Sequence, residues 1–416
     1  FPSVRMNSHY DAGLDGSGES RFRRDHPEAL IGKPGETLPR GSLEWGVRTG
    51  VDYTHPEVRR HMAAVICELF ERFDVDGVEL DFMRHPTFFP LGSGFANRHL
   101  MTDLVRRVKG RMADVAADRG RRIDLAVRVP PTLSDGARIG LDVEAWMAEG
   151  LVDIAIAGGG FIPFEIPIGE FVKAAEGSGC LVYGCIERLR PALDDEVIRA
   201  IAARHYDAGA SGIYLFNYFS KPPEWKRRMF PELADPAALA RLDKRYQMEN
   251  TRFRWDYRRD LSDRDLHDYA FQNAVPASQL PVALAETLTP RGPTLRFGVA
   301  DDVAAASAEG VLKSCVLSLK LTGCSGEDEM EVWLNGEQLG SDLARTAFGD
   351  WGRVEWSGFP ARLTHVSYSG AAIEYDLAGP PLRKGENELE VRLLRGAVQR
   401  SAPILLVDVE VAISYA

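Results

Sequence analysis

No stretch of this chain approaches the roughly 18 consecutive apolar residues that a membrane-spanning helix needs, so no membrane partner is expected. Long runs of lysine or arginine are missing too. With 50 basic residues against 61 acidic ones, the formal net charge is -11, which disfavours nucleic acid as a partner. Cysteine is scarce, with five in 416 residues. Cys67 lies in an apolar helical pattern and Cys180 and Cys185 flank a strand, so these read as core thiols. Cys315 and Cys324 bracket a hairpin pattern and would be a disulfide candidate in an exported protein. Catalytic signatures of other chemistries are absent: there is no GxSxG elbow, no Walker-type phosphate loop and no HExxH. Gly158, Gly159 and Gly160 follow a strand without GxGxxG spacing, and a loop hugging backbone or substrate explains them. The chain begins at Phe1 rather than Met. A leader removed by processing fits that start, and with it a secreted or periplasmic setting.

What is present is an ordinary globular composition, 45% hydrophobic and 27% charged, in a chain long enough for two domains. Over the first ~220 residues short apolar strands alternate with amphipathic helices, the order of a parallel sheet with helical crossovers. The strand candidates are 3–7, 77–83, 123–129, 152–157, 180–186 and 212–217. Between them, Thr54, His55, Pro56 and Glu57 read as a capping box opening a helix to about Phe73. Further helices are expected over 97–118, 143–148 and 168–176, and one opened by Asp194, Asp195 and Glu196.

Residues 222–270 turn proline-rich and then dense in Arg, Asp and Tyr, which suggests a packing helix and a charged connector. From about residue 275 the pattern becomes alternating strands separated by Gly, Pro and Asn turns, as in an antiparallel sandwich. Trp333 and Trp356 fall on such strands. The expected organisation is a (β/α) barrel domain over 1–255, a connector over 256–274 and a β-sandwich over 275–416.

One segment carries chemistry. In DVDGVELDFMRHP, Val78, Leu80 and Phe82 alternate with Glu79, Asp81 and Met83, so a strand places both acids on one face. Buried carboxylates are costly and seldom sit inside a sheet without a task. Arg5, Asn7 and His9 share a face of the first strand, Arg128 shares one with Ala126, and Tyr183, Cys185 and Glu187 share another. If these faces are a barrel interior, charged groups of both signs converge at the C-terminal mouth. A structural ion pair between Arg128 and Glu79 is the plainer alternative for that pair.

The run DGVELDFMRHP behind a THPEVRRH helix, with the N-terminal VRMNSHYDAG and FRRDHPEAL, resembles the glycoside hydrolases grouped as family 10-like glycosyl hydrolases. That resemblance implies a (β/α)8 barrel acting on a poly- or oligosaccharide. In barrels of the large retaining clan, acids end the fourth and seventh strands. Taking 77–83 as the fourth makes 180–186 the seventh, and Asp81 and Glu187 become the catalytic pair. The count leaves the first two strands without sequence, so either an open barrel lacking one or two strands or strands supplied from elsewhere is expected. Substrate contacts are expected from Arg5, Asn7, His9, Glu79, Arg84, His85, Arg128, Asn217 and Tyr218, with Phe88, Phe89, Trp45 and Tyr53 as candidate aromatic platforms. No cofactor and no resident metal are expected. Two alternatives stand beside the hydrolase: a non-catalytic carbohydrate-binding or scaffold protein on a degenerate barrel, and a metal-assisted lyase or hydrolase using His9, Asp11, Asp81 and His85.

Overall fold

The computed structural model describes residues 1–7, 20–39, 43–83, 86–158, 165–187, 194–248, 279–286, 292–357, 362–396 and 403–416. Its first unit is a six-stranded sheet of β1 (Ser3–Arg5), β2 (Gly77–Asp81), β3 (Asp124–Val129), β4 (Ile154–Ala157), β5 (Leu181–Glu187) and β6 (Gly212–Phe216), paired in that order. Every pairing is parallel. All six strands fall on the segments that the apolar runs predict. Helices α1 (Pro56–Arg72), α2 (Gly94–Arg119), α3 (Val143–Ala148), α4 (Ile168–Ala175) and α5 (Asp195–Asp207) lie between the strands and return the chain to start the next parallel one.

The convex face of the sheet is the main core. Val78, Leu80, Leu125, Val127, Ala155 and Val182 pack there with Ile66, Phe70, Leu104, Val108 and Trp146 of the helices. Close approach decides one residue on this face: a Cβ at Gly184 would stand 2.3 Å from the His205 ring of α5. The opposite, concave face carries Ala126, Ile156, Cys185, Tyr183, Tyr214 and Phe216.

A side-chain contact measures the curvature. Strands β2 and β6 are four places apart, about 19 Å in a flat sheet at the usual strand spacing. Yet the Tyr214 hydroxyl on β6 donates to Glu79 Oε2 on β2 at 2.9 Å. The sheet must curl until its ends face each other across a bore. It is a partial barrel, open between β6 and β1 among the described residues.

The second unit is antiparallel. One sheet runs β13 (Ala344–Ser357), β14 (Arg362–Asp376), β10 (Leu312–Thr322), β16 (Ile404–Tyr415) and β7 (Lys244–Gln247), with β8 (Val282–Leu284) also on β16. The other runs β12 (Glu337–Leu339), β11 (Glu329–Leu334), β15 (Gly385–Arg395) and β9 (Thr294–Val299). Leu317, Leu319, Val409 and Val411 of the first meet Phe297, Val332, Leu389 and Val391 of the second in one core. Trp333 and Trp356 lie on β11 and β13.

Several sequence expectations need correction. The N-cap of α1 is His55 without a side-chain cap, because Thr54 Oγ1 donates instead to Asp52 Oδ1 at 2.8 Å. A capping pattern cannot show that a nearby buried carboxylate will capture its hydroxyl. Cys315 and Cys324 are not joined by a disulfide. Strand pairing crosses the boundary expected near 255, since β7 pairs with the final strand β16. A packing helix, α6 (Pro223–Ala234), does follow β6, while the connector 256–274 lies outside the described residues. No described helix is long and apolar enough to cross a membrane.

Candidate functional site

The strand alternation that builds the convex core also decides what faces the bore. On β2 it turns Glu79 and Asp81 inward, on β3 Arg128, on β5 Cys185 and Glu187, and on β6 Tyr214 and Phe216. Arg5 stands in register with Asp81, and Asp81 with Arg128, while Glu187 is the register partner of Phe216. Glu79, Asp81, Arg128 and Glu187 are all buried.

Asp81, 4% exposed, is held by three N–H donors. Arg128 Nε and Nη2 bind its two oxygens at 3.0 and 2.9 Å, and the Met83 amide donates to Oδ1 at 2.9 Å. The ion pair on this face therefore joins Arg128 to Asp81, and the Arg128–Glu79 alternative does not form. Arg128 is itself fully buried, and its guanidinium lies 3.6 Å from the centre of the Phe216 ring across the bore. Burial opposes the Arg128 charge, but Asp81 outweighs it and the shift is upward. Among the described residues, Arg128 Nη1 has no acceptor.

Glu79 sits two residues deeper. It accepts from Ser3 Oγ at 2.9 Å and from Tyr214, and no described cation forms an ion pair with it. Burial pushes its carboxyl above the ordinary range, against the pull of the two hydroxyls. Burial likewise pushes the Tyr214 phenol and the Cys185 thiol upward, so both keep their protons.

Glu187 ends β5 and accepts from Asn217 Nδ2 at 3.0 Å. Asn217 has φ 64, the left-handed region that asparagine tolerates better than other side-bearing residues. That conformation ends β6 and turns its amide back toward β5.

Other sequence candidates lie elsewhere. Asn7 clamps the loops beside β1: its amide donates to the carbonyls of Val51 and Thr87, and its oxygen accepts from the Val51 amide. Arg5 is exposed. Tyr218 is buried in the helical core against Trp225, with ring centres 5.3 Å apart. Phe88, Phe89 and Tyr53 form edge-to-face contacts in the convex core, so they are not platforms. Trp45 is half-buried, under Arg48 at 3.9 Å. His9, Arg84, His85 and Asp11 lie outside the described residues. Among the described residues, no group of three His, Cys, Asp or Glu side chains is placed to hold a metal.

Sequence reasoning missed Ser3, Tyr214 and Phe216. The last two share strand parity inside GIYLF, which is the signal that would have found them.

No protein-family model matches this chain, and no curated protein does. Among solved structures, the chain is similar to a type I 3-dehydroquinate dehydratase from Clostridium difficile at 14% identity, over 38% of this chain and 57% of that one, with a TM-score of 0.29. It is similar to the GH36 alpha-galactosidase AgaA from Geobacillus stearothermophilus at 10% identity, over 86% and 43% of the two chains, with a TM-score of 0.30. An alpha-amylase from Lactobacillus plantarum gives 8% identity, 86% and 75% coverage and a TM-score of 0.28. Likeness at these scores carries no argument about activity. The chain spans about half the length of the first of these solved proteins.

Proposed function

We propose that the concave mouth of the partial barrel hydrolyses glycosidic bonds, with Asp81 and Glu187 as the carboxylate pair. Glycoside cleavage needs one carboxyl group to protonate the leaving oxygen and a second to attack or to activate water from the other side. The observation that carries this reading is the placement of Arg128. It grips Asp81 by two nitrogens and lies face-on against Phe216, the register partner of Glu187. Asp81 and Glu187 end β2 and β5 at the C-terminal side of the sheet, where barrel enzymes work.

Roles follow from the partners. Asp81, bound by three N–H donors, is the oriented nucleophile or base. Glu187, with Oε1 fixed by Asn217, takes the acid role. Glu79, Tyr214 and Ser3 form the floor beneath them, and Arg128 is a positioning residue.

An acid role has a distinctive signature. In Glu187→Gln, cleavage of an unactivated glycoside should fall by roughly 10²–10⁴-fold, while an aryl glycoside whose leaving group needs no proton keeps most of its rate. Equal losses on both substrates would remove Glu187 from that role. One observation favours a binding-only protein instead: Asp81 is 4% exposed and already held by three N–H donors. On that reading glycan binds and no product forms.

A further inference from the structure

We infer that Phe219 is the platform on which a pyranose ring of the glycan lies at the rim of the mouth, an inference that rests on the hydrolase reading above. Four consecutive residues at the end of β6 divide the work. Phe216 lies inside the bore against Arg128. Asn217, in its left-handed conformation, holds Glu187. Tyr218 turns inward, 3% exposed, and stacks on Trp225 at an interplanar angle of 13°. Phe219 turns outward and is 80% exposed, more than any other large apolar side chain among the described residues.

A lone exposed phenylalanine ordinarily needs no explanation. Here the backbone beneath it is pinned. The Tyr218 carbonyl accepts from the Lys221 amide at 3.1 Å, and the Phe219 carbonyl accepts from Lys226 Nζ at 2.9 Å. Trp225, under Tyr218, donates to Asp195 at 2.6 Å. A flat apolar face is thus held out in water two residues from the group that orients Glu187. The C–H face of a pyranose matches an aromatic ring in size and polarity. The left-handed turn at Asn217 serves both ends: without it, strand alternation would not place Tyr218 in the core and Phe219 at the rim.

The test compares wild type, Phe219→Ala, Phe219→Trp and Phe73→Ala, the last an exposed phenylalanine that precedes β2 at the other end of the sheet. Probes are xylan, laminarin, galactomannan and dextran, read by release of reducing ends and, in the Glu187→Gln background, by retardation in gels containing each polysaccharide. On a polysaccharide that wild type cleaves, Phe219→Ala should raise KM roughly three- to tenfold with kcat nearly unchanged, and weaken retardation to match. Phe219→Trp and Phe73→Ala should stay near wild type. An unchanged KM and retardation in Phe219→Ala overturn the platform and leave the hydrolase standing. Neither cleavage nor retardation with any of the four overturns both.

Discussion

Asp81 and Arg128 bind each other inside the bore, and removing either charge leaves the other buried. Breaking such a pair costs about 3–5 kcal/mol. Asp81→Asn should therefore lower both turnover and stability, and urea unfolding should show a shifted midpoint. A variant as stable as wild type would mean that the pair is not formed as described. Glu79 gives a pH signature. Its folded pKa is raised, so the native state holds its proton above 4.5, where the unfolded chain has lost it. Stability then falls as pH rises from about 4.5 through the folded value. Glu79→Gln should remove that loss: it should be more stable than wild type at pH 7 and should show no such advantage below pH 4. Urea midpoints at the two pH values check it, and a variant less stable at both would contradict it. Parity alone made Glu79, Asp81, Arg128 and Glu187 legible in the sequence, because a strand inside a curled sheet has one inward face. Which carboxylate Arg128 would take was not legible, since both lie within its reach along β2. Asn7 misled for a related reason: its side chain belongs to the loops at 51 and 87, whose approach depends on tertiary folding.

At the scale of elements, the bond from Tyr214 to Glu79 ties β6 to β2 across the bore. Tyr214→Phe should cost about 1–3 kcal/mol by leaving a buried carboxyl oxygen without its donor. In a double-mutant cycle with Glu79→Gln the two effects should not add, because both act on one contact. Additive effects would mean that the strands do not face each other. Strand positions were legible because each is a short β-rich apolar run between helices. Helix ends were less so, as the Thr54 hydroxyl shows by serving Asp52 rather than the helix. The curl itself is invisible locally. It follows from side chains four strands apart, which no window of sequence contains.

The whole molecule is threaded so that β7, the first strand after the barrel unit, is held in the second unit by a buried polar knot. Asp301, in the sandwich, accepts from Lys244 at 2.9 Å, from Tyr246 and from Tyr415 at 2.7 Å. Lys244 also donates to the carbonyls of Ala240 and Leu242, where the chain leaves the barrel unit. Burial pulls the Lys244 ammonium below its ordinary value against the pull of Asp301. Asp301→Ala should strand that ammonium and cost about 3–5 kcal/mol, read as a lowered calorimetric midpoint. An unshifted midpoint would show that the knot does not hold β7 in place. Composition separated a helix-and-strand half from an all-strand half, but β7 joins the far sheet from before the connector, and periodicity carries no sign of that pairing. Catalysis at the mouth is tested most directly by measuring reducing ends released from soluble polysaccharides by wild type and by Glu187→Gln, at equal concentrations of folded protein. Wild type should release product, and Glu187→Gln, which still binds the same glycan, should be at least about 10²-fold slower. A variant that cleaves as fast as wild type would contradict catalysis by Glu187 at the mouth.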